Sequence, residues 1–379
     1  MNVLFHNPNR SPTFGGIEHW MLDVAAGLID RGHDAVVYGR RRSGWFCEAR
    51  TRGLPRVPGF FGVDFHPLAL AWLCITLRRH DVDVVFAKGK KGARLAAAAT
   101  RLVGRGRVVL VLGIEGELRD RAIDRWTWRY AVDRGMVLAE EAKDWYERIP
   151  WVADGRLRVL LKGVDTAALD PAAVDAAAAR RALGLPADAL VVGTVGRLVW
   201  QKGHVHLLAA AERLGAELPR ARYVIVGAGE EEPRLRAQAA AAGIGERVVF
   251  AGYRRDIPVV LAAMDVFVLP SRRENMPQVL LEAMAMARPI VSTASIGVRE
   301  VVEDGRTGFV VPAGDVGALT DRLRLLASDA GLRERMGAGV RARIRNGFTR
   351  EDMLGRVETL LGEVGGGAIS GPAPVVPMH

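Results

Sequence analysis

Short runs rich in Val, Ile and Leu are separated along this chain by longer stretches rich in Ala, Leu and Arg, and the order repeats in both halves. Apolar runs that short read as strands covered on both faces, and the longer stretches as the helices that cover them. The first half predicts strands at 3–6, 35–38, 84–87, 108–112, 136–139 and 157–160. An Ala-, Asp- and Pro-containing stretch at 167–181 suits a linker leading into a helix that ends near Gly184. A second series follows at 191–195, 223–226, 248–251, 266–269, 290–292 and 308–311. The pattern predicts the α/β class, with two Rossmann-like domains at residues 1–165 and 166–347. A last amphipathic helix is expected over 348–364, and the tail from 365 has too few packing residues to order itself.

Candidate chemistry concentrates in residues 270–289, PSRRENMPQVLLEAMAMARP, where Glu274 precedes Glu282 by eight positions. Pro277 suits a first helical position, because its missing N–H costs nothing there, and 278–287 are good helix formers. A helix starting near Met276 would turn its N–H groups and positive dipole end toward a diphosphate at the end of strand 265–270. Glu274 before that helix and Glu282 within it would then reach two different sets of sugar hydroxyls. In 193–203, GTVGRLVWQKG, Arg197 and Lys202 flank a strand end beside Gly196 and Gly203, where cations and N–H groups converge on phosphate. Gly15 and Gly16 follow the first strand and permit a tight turn and close approach of backbone to a ligand. Glu18 is foremost a helix-start residue and secondly an acceptor-side candidate. The glycines of VGAGEEE, Gly227 and Gly229, lack the third glycine and the later acid of a dinucleotide fingerprint and are set aside.

The stretch 270–289 resembles the Glu-x7-Glu motif of family 4 retaining glycosyltransferases, and 193–203 is similar to that family's phosphate-binding loop. TFGGIEHW at 13–20, LLKGVDTAAL at 160–169 and VREVVEDGRTGFVVPAGD at 298–315 resemble its glycine turn, interdomain segment and a further C-domain signature. The resemblance implies a GT-B fold, two Rossmann-like domains facing across a cleft, with the last helix crossing back to the first domain. It implies a retaining transfer from a nucleotide-diphosphate sugar, a UDP-sugar as first choice and a GDP- or ADP-sugar as alternatives, without cofactor or metal. The donor-binding set carried over is Gly15, Gly16, Gly196, Arg197, Lys202, Tyr253, Arg254, Glu274, Asn275, Met276, Pro277, Gln278, Val279 and Glu282. Of these, Arg197 and Lys202 would hold the leaving diphosphate, Glu274 the transferred sugar and Glu282 the ribose, while Tyr253 and Arg254 would border the nucleobase. The family commonly has a histidine after the strand at 108–112, whereas Gly113 stands here, with Glu115 and Glu117 as acceptor-side substitutes. Arg288 stands where the family usually has a small residue. A nucleotide-sugar epimerase on the same fold, or a catalytically silent sugar-nucleotide binder, are the competing readings; a phosphorylase would need a pyridoxal phosphate lysine for which no signature is present.

Composition narrows the setting. The 379 residues, 49% hydrophobic and 25% charged, suit two globular domains. Cys47 and Cys74 give neither a disulfide framework nor metal-ligand spacing, so a reducing cytoplasmic compartment is expected. The N-terminus lacks the apolar core of a signal peptide, and the apolar run at 67–77 is too short to span a bilayer. Of the net charge of +10, residues 1–170 carry +7, from 27 Lys and Arg against 20 Asp and Glu. No nucleic-acid-binding signature accompanies it; an anionic membrane surface or an acidic acceptor fits the charge, and so does a high-Arg composition with solvated faces. The family resemblance adds a saccharide or lipid-linked acceptor as partner and the inner face of the cytoplasmic membrane as the setting. The segment 119–134 predicts a helix with Ala122, Ile123, Trp126 and Tyr130 on one face; core packing is the first reading of that face and contact with a membrane or lipid acceptor the second, and core packing explains Trp128 among arginines least.

Overall fold

The computed structural model describes residues 1–12, 15–61, 66–113 and 117–365. The tail expected to lack order and Glu115 lie outside the described residues, as does part of the glycine-turn motif. The chain divides into two units, Met1–Leu161 with Met353–His379, and Lys162–Asp352.

The first unit holds β1 (Asn2–Asn7), β2 (Asp34–Gly39), β3 (Arg56–Pro58), β4 (Val84–Lys88), β5 (Arg107–Val111), β6 (Arg134–Val137) and β7 (Leu157–Val159). They form one parallel sheet in the order β3-β2-β1-β4-β5-β6-β7. The second holds β8 (Val191–Val195), β9 (Arg222–Val226), β10 (Val248–Gly252), β11 (Val266–Leu269), β12 (Ile290–Thr293) and β13 (Gly308–Val311), parallel in the order β10-β9-β8-β11-β12-β13. In both sheets the order reverses beside the first strand, and such a reversal opens a crevice at the carboxyl ends where ligands sit. All twelve expected strands are present; β3 is the addition. It is three residues long, sits at the sheet edge and ends on Pro58, which cannot donate to a ladder, so no apolar run announces it.

Phe5 of β1 stacks on Phe86 of β4 at 5.3 Å, with Trp20 against the edge of Phe86, all three buried in the first core. The last helix, Arg350–Gly365, packs within this unit. A side chain at Gly27 would come within 2.5 Å of Leu354, so the glycine is the seat of that leucine. Arg31 and Glu358 pair at 2.7 Å and Arg158 and Glu363 at 2.8 Å along the same helix.

The helix Ala122–Ala131 is turned the other way from its predicted packing. Asp124, Thr127, Trp128 and Ala131 are buried, while Ile123, Trp126 and Tyr130 are exposed. The inward polar groups are satisfied by residues four apart on the neighbouring helix Gly89–Val103: Lys90 pairs with Asp124 at 2.7 Å and Arg94 donates to the Thr127 hydroxyl at 3.1 Å. Trp128 donates its indole N–H to Asp154 at 2.9 Å and lies under the Arg156 guanidinium, 5.0 Å from the ring centre. Its burial is thereby compatible with its polar edge and its arginine neighbour.

Candidate active site

At the end of β8 the chain turns through Gly196 and Arg197 against the loop that follows β9. Gly196 N–H donates to the Val226 carbonyl and Leu198 N–H to the Ala228 carbonyl, both at 2.9 Å. A Cβ on Gly227, whose φ is +140°, would lie 1.8 Å from the Gly196 carbonyl oxygen, and one on Gly229 would lie 2.3 Å from that of Leu198. These glycines thus serve close contact between two loops, which a fingerprint search does not detect. His204 fixes the other side of the turn. Burial pulls its pKa down to about 4, so the ring is neutral at physiological pH, and its Nε2–H donates to the Arg197 carbonyl at 3.1 Å. Arg197 itself is exposed at the strand end.

Lys202 closes the short 3-10 turn Trp200–Lys202. Gly203 follows with φ +63°, and a Cβ there would meet the Pro270 carbonyl oxygen at 2.1 Å, so glycine alone brings this turn against the end of β11. Arg272 N–H donates to the Gln201 carbonyl at 2.8 Å across the same junction. The result is an ion pair between the Lys202 ammonium and Glu274, both side chains largely buried. Ser271 donates its hydroxyl to Glu274 at 2.8 Å, and the Ser271 carbonyl accepts from the buried Thr293 hydroxyl. Ser271, Thr293 and His204 carry no motif of their own; they hold the motif residues in place.

The helix after Glu274 begins later than its sequence suggests. It runs Gln278–Ala285, with Pro277 outside it as the cap at φ −67° and ψ 124°, because Met276 stands in the left-handed region at φ 45°. Met276 is buried there, and its N–H donates to the Ile296 carbonyl at 3.1 Å. A non-glycine residue in this conformation costs about 1–3 kcal/mol, which the surrounding packing must offset. Asn275 bridges to Ile296, and Gln278 donates its side-chain amide to the Gly163 carbonyl at 3.2 Å. Val279 and Glu282 are half-buried residues of the helix, Glu282 just over one turn from its start. Tyr253 is 71% exposed beyond β10. Arg254 is tied to Asp256 by two hydrogen bonds at 2.8 and 2.5 Å, so its guanidinium is already engaged. Arg288 donates to the Met286 and Met264 carbonyls at 2.7 and 2.6 Å, closing the helix end away from Glu274.

In the first unit, Gly15 caps the helix Gly16–Asp30, and Glu18 reaches back to accept from the Gly15 N–H at 3.1 Å. Glu18 also pairs with Lys88 at the end of β4 and accepts from Asn9 at 3.3 Å. Burial pushes its carboxyl up, but Lys88 and the Gly15 N–H together hold it below the ordinary value. Glu117 behaves oppositely: burial raises its pKa despite the Gly113 N–H and the charges of Lys88 and Lys90. At Gly113 a side chain would meet Ile17 at 2.7 Å and the Glu117 carboxylate at 2.8 Å, so Glu117 occupies the space that a larger residue would need.

The raised pKa makes the folded state hold this proton more tightly than the unfolded chain does. Stability from Glu117 is therefore fully present below the ordinary carboxylate range and is lost as pH rises through its folded value. Glu117→Gln is expected to flatten that part of the stability–pH curve and to stabilise the protein at neutral pH. Urea unfolding at several pH values reads both effects, and an unchanged curve would show that burial of this carboxyl is without energetic weight.

Two parallel Rossmann-like sheets, with a cation–carboxylate pair and a helix N-terminus gathered at the carboxyl ends of β8 and β11, define a GT-B fold of the glycosyltransferase class. The family described as Glycosyl transferases group 1 matches residues 175–343, and Glycosyltransferase Family 4 matches residues 14–168. The chain belongs to the family 4 glycosyltransferases. It is 37% identical over 172 residues to the lipopolysaccharide core biosynthesis glycosyltransferase LpsE of Rhizobium meliloti (strain 1021), covering 45% of this chain and 49% of the relative. It is 29% identical over 295 residues to an Escherichia coli UDP-Gal:alpha-D-GlcNAc-diphosphoundecaprenol alpha-1,3-galactosyltransferase, covering 75% and 76%. The solved structure of Anabaena Alr3699/HepE in complex with UDP shares the fold at a TM-score of 0.84 and 23% identity, over 96% of this chain and 100% of that one. Several strongly matching curated relatives are spanned for only 34% to 57% of their own length.

Proposed function

We propose that this protein transfers a hexose-type sugar from a nucleotide-diphosphate sugar to a hydroxyl acceptor, with retention of configuration, in the synthesis of an envelope polysaccharide or glycolipid. The observation that carries this reading is the meeting of Lys202, Ser271 and Glu274 beside the turn that bears Arg197. Cations there stabilise negative charge as it builds on the leaving diphosphate, in place of a bound metal ion, and the N-terminus of the helix Gln278–Ala285 adds its dipole. Glu274, already oriented by Ser271, takes hydroxyls of the transferred sugar, and Glu282 takes the ribose. Attack from the face of the leaving group, with its phosphate oxygen accepting the acceptor proton, needs no side-chain nucleophile. Glu18 and Glu117 of the first unit are this scheme's acceptor-side residues, with Lys88 compensating the charge of Glu18.

A UDP-sugar is the first-choice donor, in keeping with the UDP named for the Anabaena structure and the UDP-Gal named for the E. coli relative. The latter name also carries a diphosphoundecaprenol, which favours a lipid-linked acceptor and a peripheral position on the inner face of the cytoplasmic membrane. Among the described residues no helix is long and apolar enough to cross a membrane. Incubation with a panel of UDP-, GDP- and ADP-sugars tests the reading by release of free nucleotide, with added acceptor accelerating it and the product anomer read by NMR. Epimerised sugar nucleotide without release, or binding without turnover, would replace transfer by one of the competing activities.

A further inference from the structure

The loops that leave β1 and β2 carry four arginines and no acid, in PNRSP at 8–12 and RRRSG at 40–44. In the ladder between these strands Asn7 lies opposite Gly39, and the Gly44 N–H donates to the Ser11 carbonyl at 3.0 Å, so the two loops lie together at the carboxyl edge of the sheet. They border the crevice beside β1 where the strand order reverses. Arg10, Arg41 and Arg42 are exposed, and none of the four arginines pairs with a carboxylate among the described residues. Arg31, Arg105 and Arg158 of the same unit each do. Burial and the charge of Arg10 both pull the Arg40 pKa below its ordinary value, so the gathering is felt as repulsion.

Arg40 is the fixed member of the group. Its guanidinium lies 5.0 Å from the Phe61 ring centre, Nε donates to the Pro8 carbonyl at 3.1 Å and Nη2 to the Phe61 carbonyl at 2.9 Å. Those bonds use one edge of the fork and leave the Nη1 and Nη2 edge for a planar anion such as carboxylate or phosphate. Polar groups below it are unsatisfied as well. His6 is fully buried and stacked on Tyr38 at 5.4 Å with neither ring nitrogen hydrogen-bonded among the described residues, and the Asn7 Nδ2 is buried without a partner. A Cβ at Gly92 would come within 2.9 Å of His6 Nδ1, so the ring lies against the first turn of the helix Gly89–Val103. Like charges without counterions and buried polar atoms without partners both cost stability, and such costs collect where a ligand relieves them.

We infer that these two loops seat an anionic group of the acceptor, a phosphate or a sugar carboxylate, with Arg40 as its bidentate donor and Arg10 as the neighbouring charge. The inference rests on the sugar transfer proposed above and names the class of its acceptor, an acidic or phosphorylated saccharide in place of a neutral one. Arg41 and Arg42, exposed at the turn, extend the positive field that such an acceptor meets on approach. Arg40 and Arg10 belong to the first unit, Arg197 and Lys202 to the second, so substitution separates this seat from the nucleotide phosphates.

The test is calorimetric titration of the full chain with glucose 6-phosphate, glucuronate and neutral glucose, at low salt. At least one of the anions should bind roughly tenfold or more tighter than glucose, and the tighter of the two names the group. Arg197→Ala should keep this preference. Arg40→Gln should weaken anion binding by roughly tenfold and Arg10→Gln by about threefold, the smaller effect reflecting an exposed and screened charge. Arg10→Gln should do so with no fall in the unfolding midpoint, since it relieves a like-charge contact. A purely structural Arg40, acting through Phe61 and two carbonyls, predicts instead a lower midpoint for Arg40→Gln and wild-type anion affinity for Arg10→Gln. That last result, or anions that bind no tighter than glucose, would overturn the inference. So would a preference abolished by Arg197→Ala, which would assign the anions to the nucleotide site. Nucleoside diphosphate titrated into the same proteins should bind Arg10→Gln and Arg40→Gln as it binds the wild type; its failure to bind the wild type would count against the donor reading alone.

Discussion

Glu274→Gln should lower turnover on the intact donor by about a hundredfold or more, roughly 2.7 kcal/mol, while nucleoside diphosphate affinity stays within about twofold. The side chain keeps its size and its bond from Ser271 but loses the charge that pairs with Lys202. A ground state without the sugar does not use that charge. A stretching glycosidic bond does, because the hydroxyls of the transferred sugar are held most tightly when the ring carries positive charge. Lys202, released from its partner, also remains available to the diphosphate, which works against any loss of nucleotide affinity. Glu282→Gln supplies the contrast, since loss of a ribose contact should weaken the free nucleoside diphosphate as well as the donor. Calorimetry with nucleoside diphosphate, beside steady-state rates on the donor, separates the two. An unchanged rate for Glu274→Gln, or equal affinity losses in both variants, would sink the division of labour.

Arg197→Ala should weaken nucleoside diphosphate binding by tenfold or more and leave nucleoside binding unchanged. A charge-assisted hydrogen bond is worth about 1.5–3 kcal/mol, and about 1.4 kcal/mol is a factor of ten. The fold itself should be indifferent, because Arg197 is exposed and the turn is held by its carbonyl, through His204, and by the glycines around it. Lys202→Ala is the informative companion. It removes a phosphate contact and also leaves the Glu274 carboxylate, 11% exposed, without its ion partner, so stability should fall together with affinity. Parallel losses of nucleoside and diphosphate affinity in Arg197→Ala would disprove a phosphate role for this residue.

Both sheets were legible in the sequence because a parallel strand buried on two faces has to be a short unbroken apolar run. The placing of Arg197, Lys202 and Glu274 in the loops after β8 and β11 was legible because their glycine and proline neighbours punctuate the chain. Less visible was everything that depends on a partner distant in sequence. The orientation of the helix Ala122–Ala131 was lost because periodicity reveals an apolar stripe without saying which side faces in, and Lys90 and Arg94 decide that. The start of the helix at Gln278 was misplaced because Pro277 suits both a first helical position and a cap; the left-handed Met276 selects the cap. Gly227 and Gly229 were read against a nucleotide fingerprint, when their purpose is contact with Gly196 and Leu198.

The route of the chain bears on how such a molecule is made. The segments entering and leaving the second unit run side by side, Val164 N–H to the Phe348 carbonyl at 3.0 Å and Arg350 N–H to the Val164 carbonyl at 2.9 Å. Lys162–Asp352 is therefore one uninterrupted stretch with neighbouring ends, and a ribosome delivers all of it before it delivers Leu354, Glu358 and Glu363. The earlier-synthesised unit must wait, its Gly27 seat empty and Arg31 and Arg158 without their carboxylates, until the later one has emerged. The first-made half is thus completed only by the helix that follows the second-made half.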